Sequence, residues 1–456
     1  MVRIMNWAQL LSSKRLGLES QKQHRDDRTE FQRDYDRLIF SAPFRRLQNK
    51  TQVFPLPGSI FVHNRLTHSL EVSSVGRSLG NDSARLLLER HPELADSHLS
   101  EMGSIVSAAC LAHDLGNPPF GHSGERAIAT YFSEGEGRWL QDYTDPETGD
   151  HLTPTQWNDL THFDGNANAF RLLTHHFNGR RPGGFVMTYS TLASIVKYPF
   201  SSDLAGTHQK FGFFDAERED YQRIANELGI LRCDSAPGTL KYVRFPLAYL
   251  VEAADDICYE IMDIEDAHKL KILPTADVKE LLLSYFLPKR RDEIVQNLQQ
   301  LDVHDVNEQV VYLRSCVINE LEGECVRIFV EHEQEILEGR FQGSLIQHIA
   351  DTPRQAYEQC VQTSYGHIYH SKDVVDIELA GFRVMTSLIH EMVEAAMHPE
   401  RAYSQLLLNR VSHQYQLRDP HLYDRLMAVL DYISGMTDVY ALELYRKING
   451  MSIPMI

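Results

Sequence analysis

The chain has 456 residues, 43% of them hydrophobic, so it is long enough to bury one large core or two ordinary ones. Its 45 Lys and Arg stand against 63 Asp and Glu, and the net charge of −18 argues against an extended grip on nucleic acid as its main role. The N-terminus has no apolar signal region, and no run of about 18 apolar residues occurs, which predicts a cytoplasmic protein without a membrane span.

The first 50 residues run against the acidic trend, with eleven Lys and Arg and six Asp and Glu. This local basic charge suits a pocket for an anionic ligand, although a solvated basic helix explains it equally well. We predict three regions along the chain. They are a short N-terminal segment (1–24), a catalytic core (25–272) and a C-terminal helical region packed on that core (273–456).

The first helix with a functional signal follows Asn64 or Thr67, either of which can cap it. On this helix His68 lies on the same face as Val72 and Leu79. A histidine on an apolar stripe is either a hydrogen-bonded core residue or a metal ligand.

A second apolar stripe runs through Met102 and Ala109 to His113, and Asp114 follows directly. Gly116 and the Pro118-Pro119 pair cannot continue this helix, so His113 and Asp114 fall at its end, facing the interior. Taken alone, the pair could be a satisfied core histidine beside a capping aspartate.

The following segments differ in pattern. Residues 133–162 are polar and weakly periodic, which predicts a surface excursion, and 199–216 read as a loop that could cover a site. Helix returns over Pro246–His268, where Asp255 shares a face with apolar residues. A buried carboxylate of this kind needs a cation or a hydrogen-bond donor.

From Thr275 onward the pattern is one amphipathic helix after another, with Gly435 as the main break. Few strand-like alternations occur, so the predicted fold class is all-α. Three helices therefore offer inward-facing His68, His113, Asp114 and Asp255. Two imidazoles and two carboxylates suit one divalent ion, of the Mn²⁺ or Mg²⁺ kind, with open positions for water and substrate.

This order of residues resembles that of the HD-domain phosphohydrolases, and within them the chain closely resembles the deoxyguanosine triphosphate triphosphohydrolases. The resemblance covers nearly the whole chain. It is carried by Arg45–Phe54, Asn64–Ser69, His113–Glu125, Glu252–Ile257 and Ser434–Asp438. The implied fold is the HD-domain helical fold with additional C-terminal helices, and the implied metal ligands are the same four residues.

The resemblance assigns His122 and Glu125 to catalysis close to the α-phosphate. They are three residues apart, so on a helix that begins after Gly121 they can meet, with the carboxylate orienting the imidazole for proton transfer. Without the resemblance, a capping histidine beside a first-turn glutamate explains the pair as well.

The resemblance also implies a set of substrate contacts. Tyr259 packs against the sugar, Asp263 meets its 3′-hydroxyl, and Gln52 and Asn166 approach the sugar or base. The residues expected at the triphosphate are Arg46, Arg65, Lys197, Tyr198 and Lys210.

The implied activity is metal-dependent hydrolysis of dGTP or other dNTPs to deoxynucleoside and inorganic triphosphate. One alternative keeps the metal site but acts on nucleoside monophosphates or cyclic nucleotides. A second is a non-catalytic regulator that binds dNTP or single-stranded DNA. By the resemblance we also expect a homo-oligomer, usually a hexamer in this family, and single-stranded DNA stays open as a secondary partner.

Overall fold

The computed structural model describes residues 4–19, 27–54, 62–206, 210–233, 238–300 and 303–451. In these ranges the chain forms helices and isolated β-bridges but no β-strand, which confirms the all-α prediction. None of the helices there is both long and apolar enough to cross a membrane. The predicted N-terminal segment is described only over 4–19.

Twenty α-helices follow in chain order. The first ten are α1 (Trp7–Leu10), α2 (Glu30–Ile39), α3 (Ala42–Arg46), α4 (Arg65–Arg90), α5 (Met102–Ala112), α6 (His122–Ser133), α7 (Pro154–Thr161), α8 (Gly165–Thr174), α9 (Tyr189–Ser194) and α10 (Arg218–Leu228). The others are α11 (Pro246–Lys269), α12 (Thr275–Leu283), α13 (Pro288–Gln300), α14 (Val306–Glu331), α15 (Glu333–Leu337), α16 (Asp351–Thr363), α17 (Lys372–Met397), α18 (Ala402–Leu408), α19 (Leu422–Ser434) and α20 (Asp438–Ile448).

The helices that carry the candidate site begin and end where their local sequence requires. Asn64 caps α4, and its side chain accepts from the Thr67 amide while Thr67 bonds back to the Asn64 amide. Helix α5 ends at Ala112, shortly before Gly116, and α19 ends at Ser434 with Gly435 as its cap. The three predicted boundaries are confirmed.

Helices α4 and α5 form the most extensive helix pair. Glycines allow their close approach, because a Cβ on Gly80 would lie only 2.7 Å from the Cα of Gly103. One turn earlier, a Cβ on Gly76 would lie 2.5 Å from the sulfur of Cys110. The short distance between the two backbones brings His68 on α4 close to His113 at the end of α5.

Two hydrophobic cores do not follow chain order. The first joins α4, α5 and α11 to helices of the later chain, including α12, α14 and α16. The second collects α6 and α7 with α17, α19 and α20. Leu140 and Leu160 belong to the second core, so the prediction of a surface excursion over 133–162 is wrong for the part that packs as α7.

A buried arginine ties the two parts of the chain together. Arg171 on α8 bonds Asp431 on α19 through two parallel N–H···O contacts of 2.8 and 2.7 Å. Its third contact reaches Glu217 at 2.6 Å. The planar guanidinium matches this bidentate geometry, which a lysine could not reproduce.

Candidate metal and phosphohydrolase site

The four residues predicted as metal ligands converge. His68 lies on α4, His113 and Asp114 follow α5, and Asp255 lies on α11. One ligand atom from each of His68, His113 and Asp114 falls within 4.8 Å of the others, which is a grouping that could hold a metal ion. The Oδ1 atom of Asp255 lies 3.0 Å from His68 Nε2 and 3.4 Å from His113 Nε2.

Hydrogen bonds outside this group orient the imidazole and the carboxylate at the end of α5. His113 Nδ1 lies 2.6 Å from the carbonyl oxygen of Cys110, to which it donates, so Nε2 faces the other ligands. Asp114 accepts from Arg65 Nη1 at 2.7 Å and from Asn117 Nδ2 at 2.5 Å. The Asp114 carboxylate is therefore held in place from two sides.

The charges fit a divalent cation. Burial lowers the pKa of His113, but the charges of Asp114 and Asp255 outweigh it and raise that pKa to about 9. Burial likewise opposes the charge of Asp255, yet the two histidines hold its pKa well below the usual range. His113 Nε2 is buried and has no hydrogen-bond partner among the described residues. A buried donor atom of this kind, facing two carboxylates, fits a single metal ion.

Two aromatic residues flank the ligand group on one side. The ring of Tyr259 on α11 lies 6.4 Å from that of His68. Asp263, one turn further along, accepts from the hydroxyl of Tyr369 at 2.8 Å, and burial raises its pKa well above the usual range. The Tyr369 ring lies 6.3 Å from Tyr259, so the three side chains form one wall.

The sequence reading missed Tyr369. It follows a π-helical turn, Ser364–Ile368, whose Ser364 hydroxyl donates to buried Glu260 on α11 at 2.6 Å. Turns of this type often occur at functional sites. The π-turn itself is the signal, and the sequence around it lacks the apolar period that would have revealed it.

The predicted pairing of His122 with Glu125 is wrong for this structure. Helix α6 does begin at His122, as expected, but no hydrogen bond joins the two side chains in the described part of the chain. Glu125 instead accepts from the amide of Gly165 at 2.7 Å, and its other oxygen lies 3.7 Å from Lys210 Nζ. Gly165 begins α8, and a helix N-terminus attracts a carboxylate.

Lys210 and Asn166 share the same acidic neighbour. Lys210 Nζ lies 3.5 Å from Asp164 Oδ1, and Asn166 Nδ2 donates to that oxygen at 2.9 Å. The loop predicted over 199–216 is anchored by buried Phe211 and Phe214, and its residues 207–209 lie outside the described ranges.

Lys197 and Tyr198 lie on the side of α11. The ammonium of Lys197 is 3.2 Å from Glu252 Oε1 and 5.7 Å from the centroid of the Tyr198 ring. Burial opposes the Lys197 charge, but Glu252, Asp256 and Asp255 raise its pKa. Arg244, which the sequence reading did not single out, donates to the second Glu252 oxygen at 2.5 Å and so adds a further cation here.

The remaining predicted substrate residues have different surroundings. Arg65 is 4% exposed and spends one nitrogen on Asp114, as described above. Arg46 donates to the carbonyl oxygen of Gly435 at 2.8 Å. The buried Oε1 atom of Gln52 has no hydrogen-bond partner among the described residues, so it is free to accept from a ligand.

Comparison with known proteins identifies the family. Residues 65–151 match the HD domain, and residues 326–447 match the phosphohydrolase-associated domain. A deoxyguanosinetriphosphate triphosphohydrolase-like protein of Synechocystis sp. is 37% identical over 98% of this chain and 100% of its own length. The chain belongs to the HD-domain deoxyguanosinetriphosphate triphosphohydrolase family.

Other members of this family are similarly close. A deoxyguanosinetriphosphate triphosphohydrolase-like protein of Pseudomonas aeruginosa is 36% identical over 99% of the chain and 100% of its own length. A deoxyguanosinetriphosphate triphosphohydrolase of Yersinia enterocolitica is 30% identical over 92% of the chain and 93% of its own length. Membership of the HD-domain family makes the protein a phosphohydrolase with a metal-dependent site.

The two matched domains divide the site residues of this triphosphohydrolase-family protein. His68, His113 and Asp114 fall within the HD domain, and Asp255 lies beyond it on α11. Tyr369 falls within the phosphohydrolase-associated domain. The pocket therefore draws on both domains and on the segment between them.

Proposed function

We propose that the protein is a dNTP triphosphohydrolase that converts dGTP or other dNTPs to deoxynucleoside and inorganic triphosphate, with one Mn²⁺ or Mg²⁺ ion per subunit. The observation that carries the proposal is the wall of Tyr259, Asp263 and Tyr369 directly beside the ligand residue His68. A metal site alone suits many phosphate esters. A flat aromatic face beside a buried carboxyl group suits a nucleoside sugar.

His68, His113, Asp114 and Asp255 would hold the ion, which when bound supplies Lewis-acid chemistry at the α-phosphate. The buried cation Arg65 bonds Asp114, so it lies beside the phosphate position and can orient an anionic group there. Lys197 and Lys210, with Arg46 and Tyr198 nearby in the proposal, would compensate the remaining triphosphate charge.

Tyr259 would pack against the deoxyribose while Asp263 meets the 3′-hydroxyl, with Gln52 and Asn166 near the sugar or base. The raised pKa of Asp263 supports this role, because a neutral carboxyl group can both donate and accept a hydrogen bond. A wall packed closely against the sugar leaves little room for a 2′-hydroxyl. Selection of deoxyribose follows from that steric limit.

Cleavage between the α-phosphorus and the 5′ oxygen releases triphosphate intact. The oxygen of a water molecule joins phosphorus, one of its protons is removed, and the 5′ oxygen gains a proton as the deoxynucleoside leaves. His122, exposed at the start of α6, is the proposed residue for this proton transfer. Glu125 would act on it through the common neighbourhood of Gly165 and Lys210, not by a direct bond.

We retain three further sequence-based proposals. A homo-oligomer, hexameric by family resemblance, is supported by exposed apolar side chains such as Leu379 and Leu406, which are 67% and 68% exposed. Single-stranded DNA remains a secondary partner to be tested, and the cytoplasm the expected compartment.

The proposal is tested by a substrate panel with Mn²⁺ or Mg²⁺. The panel holds four dNTPs, four ribonucleoside triphosphates, nucleoside monophosphates and cyclic nucleotides. We expect dNTP turnover that exceeds ribonucleotide turnover by about a hundredfold and is lost in His113→Ala. Turnover of monophosphates or cyclic nucleotides alone would replace the proposed substrate. Ligand-induced assembly without any turnover would favour a binding protein.

A further inference from the structure

The segment between α19 and α20 reaches across the molecule to two loops of the site. Asp438, the first residue of α20, is 6% exposed. Its Oδ2 atom accepts from the backbone amide of Thr51 at 2.8 Å, and its Oδ1 atom accepts from that of Phe120 at 3.0 Å. A single carboxylate thus holds the residue beside Gln52 and the loop that leads into His122.

Cations bind the same segment from the opposite side. The buried ammonium of Lys50 donates to the carbonyl oxygens of Ser434 and Asn117 at 2.8 and 2.5 Å. Arg46 donates to the neighbouring carbonyl of Gly435. Residues 434–438 and 117–120 are therefore joined twice, once through an ammonium and once through a carboxylate.

The loop held by Asp438 has a backbone conformation that L-residues rarely adopt. Phe120 has a φ of +62° and Gly121 a φ of +56°. For a residue with a Cβ this region costs about 1–2 kcal/mol, so Phe120 needs an external interaction to stay there. The amide bond to Asp438 supplies one, and close packing of the Phe120 ring on Gly381 of α17 supplies another.

This conformation determines where α6 begins relative to the metal ligands. A Cβ on Gly121 would lie 2.6 Å from the guanidinium of Arg65, which in turn bonds Asp114. His122 is the next residue and the first of α6. Any relaxation at Phe120 or Gly121 would therefore move the His122 backbone away from the ligand group.

We propose that Asp438 is a positioning residue for the reaction, and that it acts through the Phe120 amide to hold His122 at the site. The inference rests on the proposed function, in which His122 transfers a proton. The associated domain, which contains Asp438, thereby contributes to catalysis without touching the substrate. The Thr51 contact extends the same control to the residue before Gln52.

A double-mutant cycle on kcat tests the inference. Asp438→Asn keeps one acceptor oxygen for two amide donors, so at least one of the two bonds is lost. We expect Asp438→Asn to lower kcat by about tenfold or more, as misplacement of a proton-transfer group does. In a His122→Ala background, the same substitution should lower kcat by no more than about twofold, because both changes remove one contribution.

Asp373→Asn is the matched control. Asp373 is an exposed carboxylate in the first turn of α17, in the same domain, with no role in the proposed contact. Its substitution should leave kcat within about twofold of wild type in both backgrounds. If the effects of Asp438→Asn and His122→Ala multiply, or if Asp438→Asn keeps wild-type kcat, the inference is overturned.

Amide exchange separates this inference from the proposed function. In Asp438→Asn, hydrogen exchange over 117–121 should accelerate by about tenfold or more, while exchange within α5 stays as in wild type. If the wild type hydrolyses no dNTP, the proposed function fails, and the positioning of this loop is judged by the exchange result. Unchanged exchange over 117–121 would overturn it.

Discussion

At the residue scale, the two adjacent carboxylates Asp255 and Asp256 have opposite environments. Asp255 lies within 3.4 Å of both imidazoles, and its pKa is well below the usual range. Burial raises the pKa of Asp256 to about 7, even though Lys197 acts against this shift. Only the first is therefore a ready ligand for a cation at neutral pH.

This contrast gives a matched pair of variants. Asp255→Asn should weaken Mn²⁺ binding by about a hundredfold or more, because the amide keeps the shape but loses the charge. Asp256→Asn should change it by less than about tenfold, the range of an outer residue. Equilibrium dialysis or calorimetry with Mn²⁺ measures both. Equal losses, or the reverse order, would contradict the assignment of Asp255 as the ligand.

A second pair of carboxylates on α11 predicts opposite pH dependences of stability. Burial raises the pKa of Glu260 to about 7. In the unfolded chain a glutamate titrates near about 4.3, so the folded state binds the proton more tightly. The stability contributed by Glu260 is therefore complete below about pH 4 and is lost as the pH rises through about 7.

Glu260→Gln should remove this loss, because the amide stays neutral. Between about pH 5 and pH 8, the wild type should lose about 1–3 kcal/mol more unfolding free energy than the variant. Urea unfolding at several pH values measures the difference. Parallel curves for the two proteins would rule out Glu260 as the titrating group.

Glu265, one turn further on, is the control of opposite sign. Burial opposes its charge, but Lys269 at 2.7 Å and Arg314 at 2.6 Å lower its pKa. Its stabilising contribution is present above the unfolded pKa and is lost as the pH falls through the lowered folded value. Glu265→Gln should therefore destabilise the protein at neutral pH, and this effect should shrink in acid.

At the element scale, the site depends on how closely α4 approaches α5. A Cβ on Gly80 would meet the backbone of Gly103, which cannot rotate away as a side chain could. Gly323 on α14 is exposed, and a Cβ there would meet nothing within 4 Å. The two glycines thus differ in packing while both lie inside helices.

Gly80→Ala should destabilise the protein by about 1–3 kcal/mol, because the helices must separate to admit the methyl group. The same separation moves His68 from His113, so Mn²⁺ affinity should fall as well. Gly323→Ala should leave metal affinity unchanged and gain up to about 1 kcal/mol from helix propensity. Thermal unfolding and Mn²⁺ titration check both. A stable Gly80→Ala protein with wild-type Mn²⁺ affinity would contradict this role of the glycine contact.

Local periodicity explains which elements could be predicted. The apolar stripes through His68, His113 and Asp255 were visible because helical spacing places ligand and core residues on one face. The partners of Glu125 and Asp263 were not visible. Gly165 and Tyr369 lie 40 and 106 residues away from them, and no local pattern encodes such a contact.

At the scale of the whole molecule, the C-terminal helices take part in the site from two directions. Tyr369 reaches Asp263 beside the ligand group, and Asp438 reaches Thr51 and Phe120. The sequence reading expected this region to pack on the catalytic core and assigned no chemistry to it. The cross-chain contacts explain why the phosphohydrolase-associated domain accompanies the HD domain in one chain.

The overall negative charge of −18 is compatible with a triphosphate ligand because the basic groups are concentrated at one place. Arg65, Lys197 and Lys210 each lie beside a carboxylate of the site in the described structure. A bound triphosphate would compete with these carboxylates for the cations.

The most direct test of the proposed activity is ³¹P NMR of the products formed from each dNTP by the wild-type protein with Mn²⁺. We expect inorganic triphosphate as the first phosphorus product, in a one-to-one ratio with deoxynucleoside, and no product from His113→Ala. Early orthophosphate or pyrophosphate with deoxynucleoside di- or monophosphate would mean cleavage at the outer phosphates. That result would contradict a triphosphohydrolase and leave only the metal-dependent phosphohydrolase site.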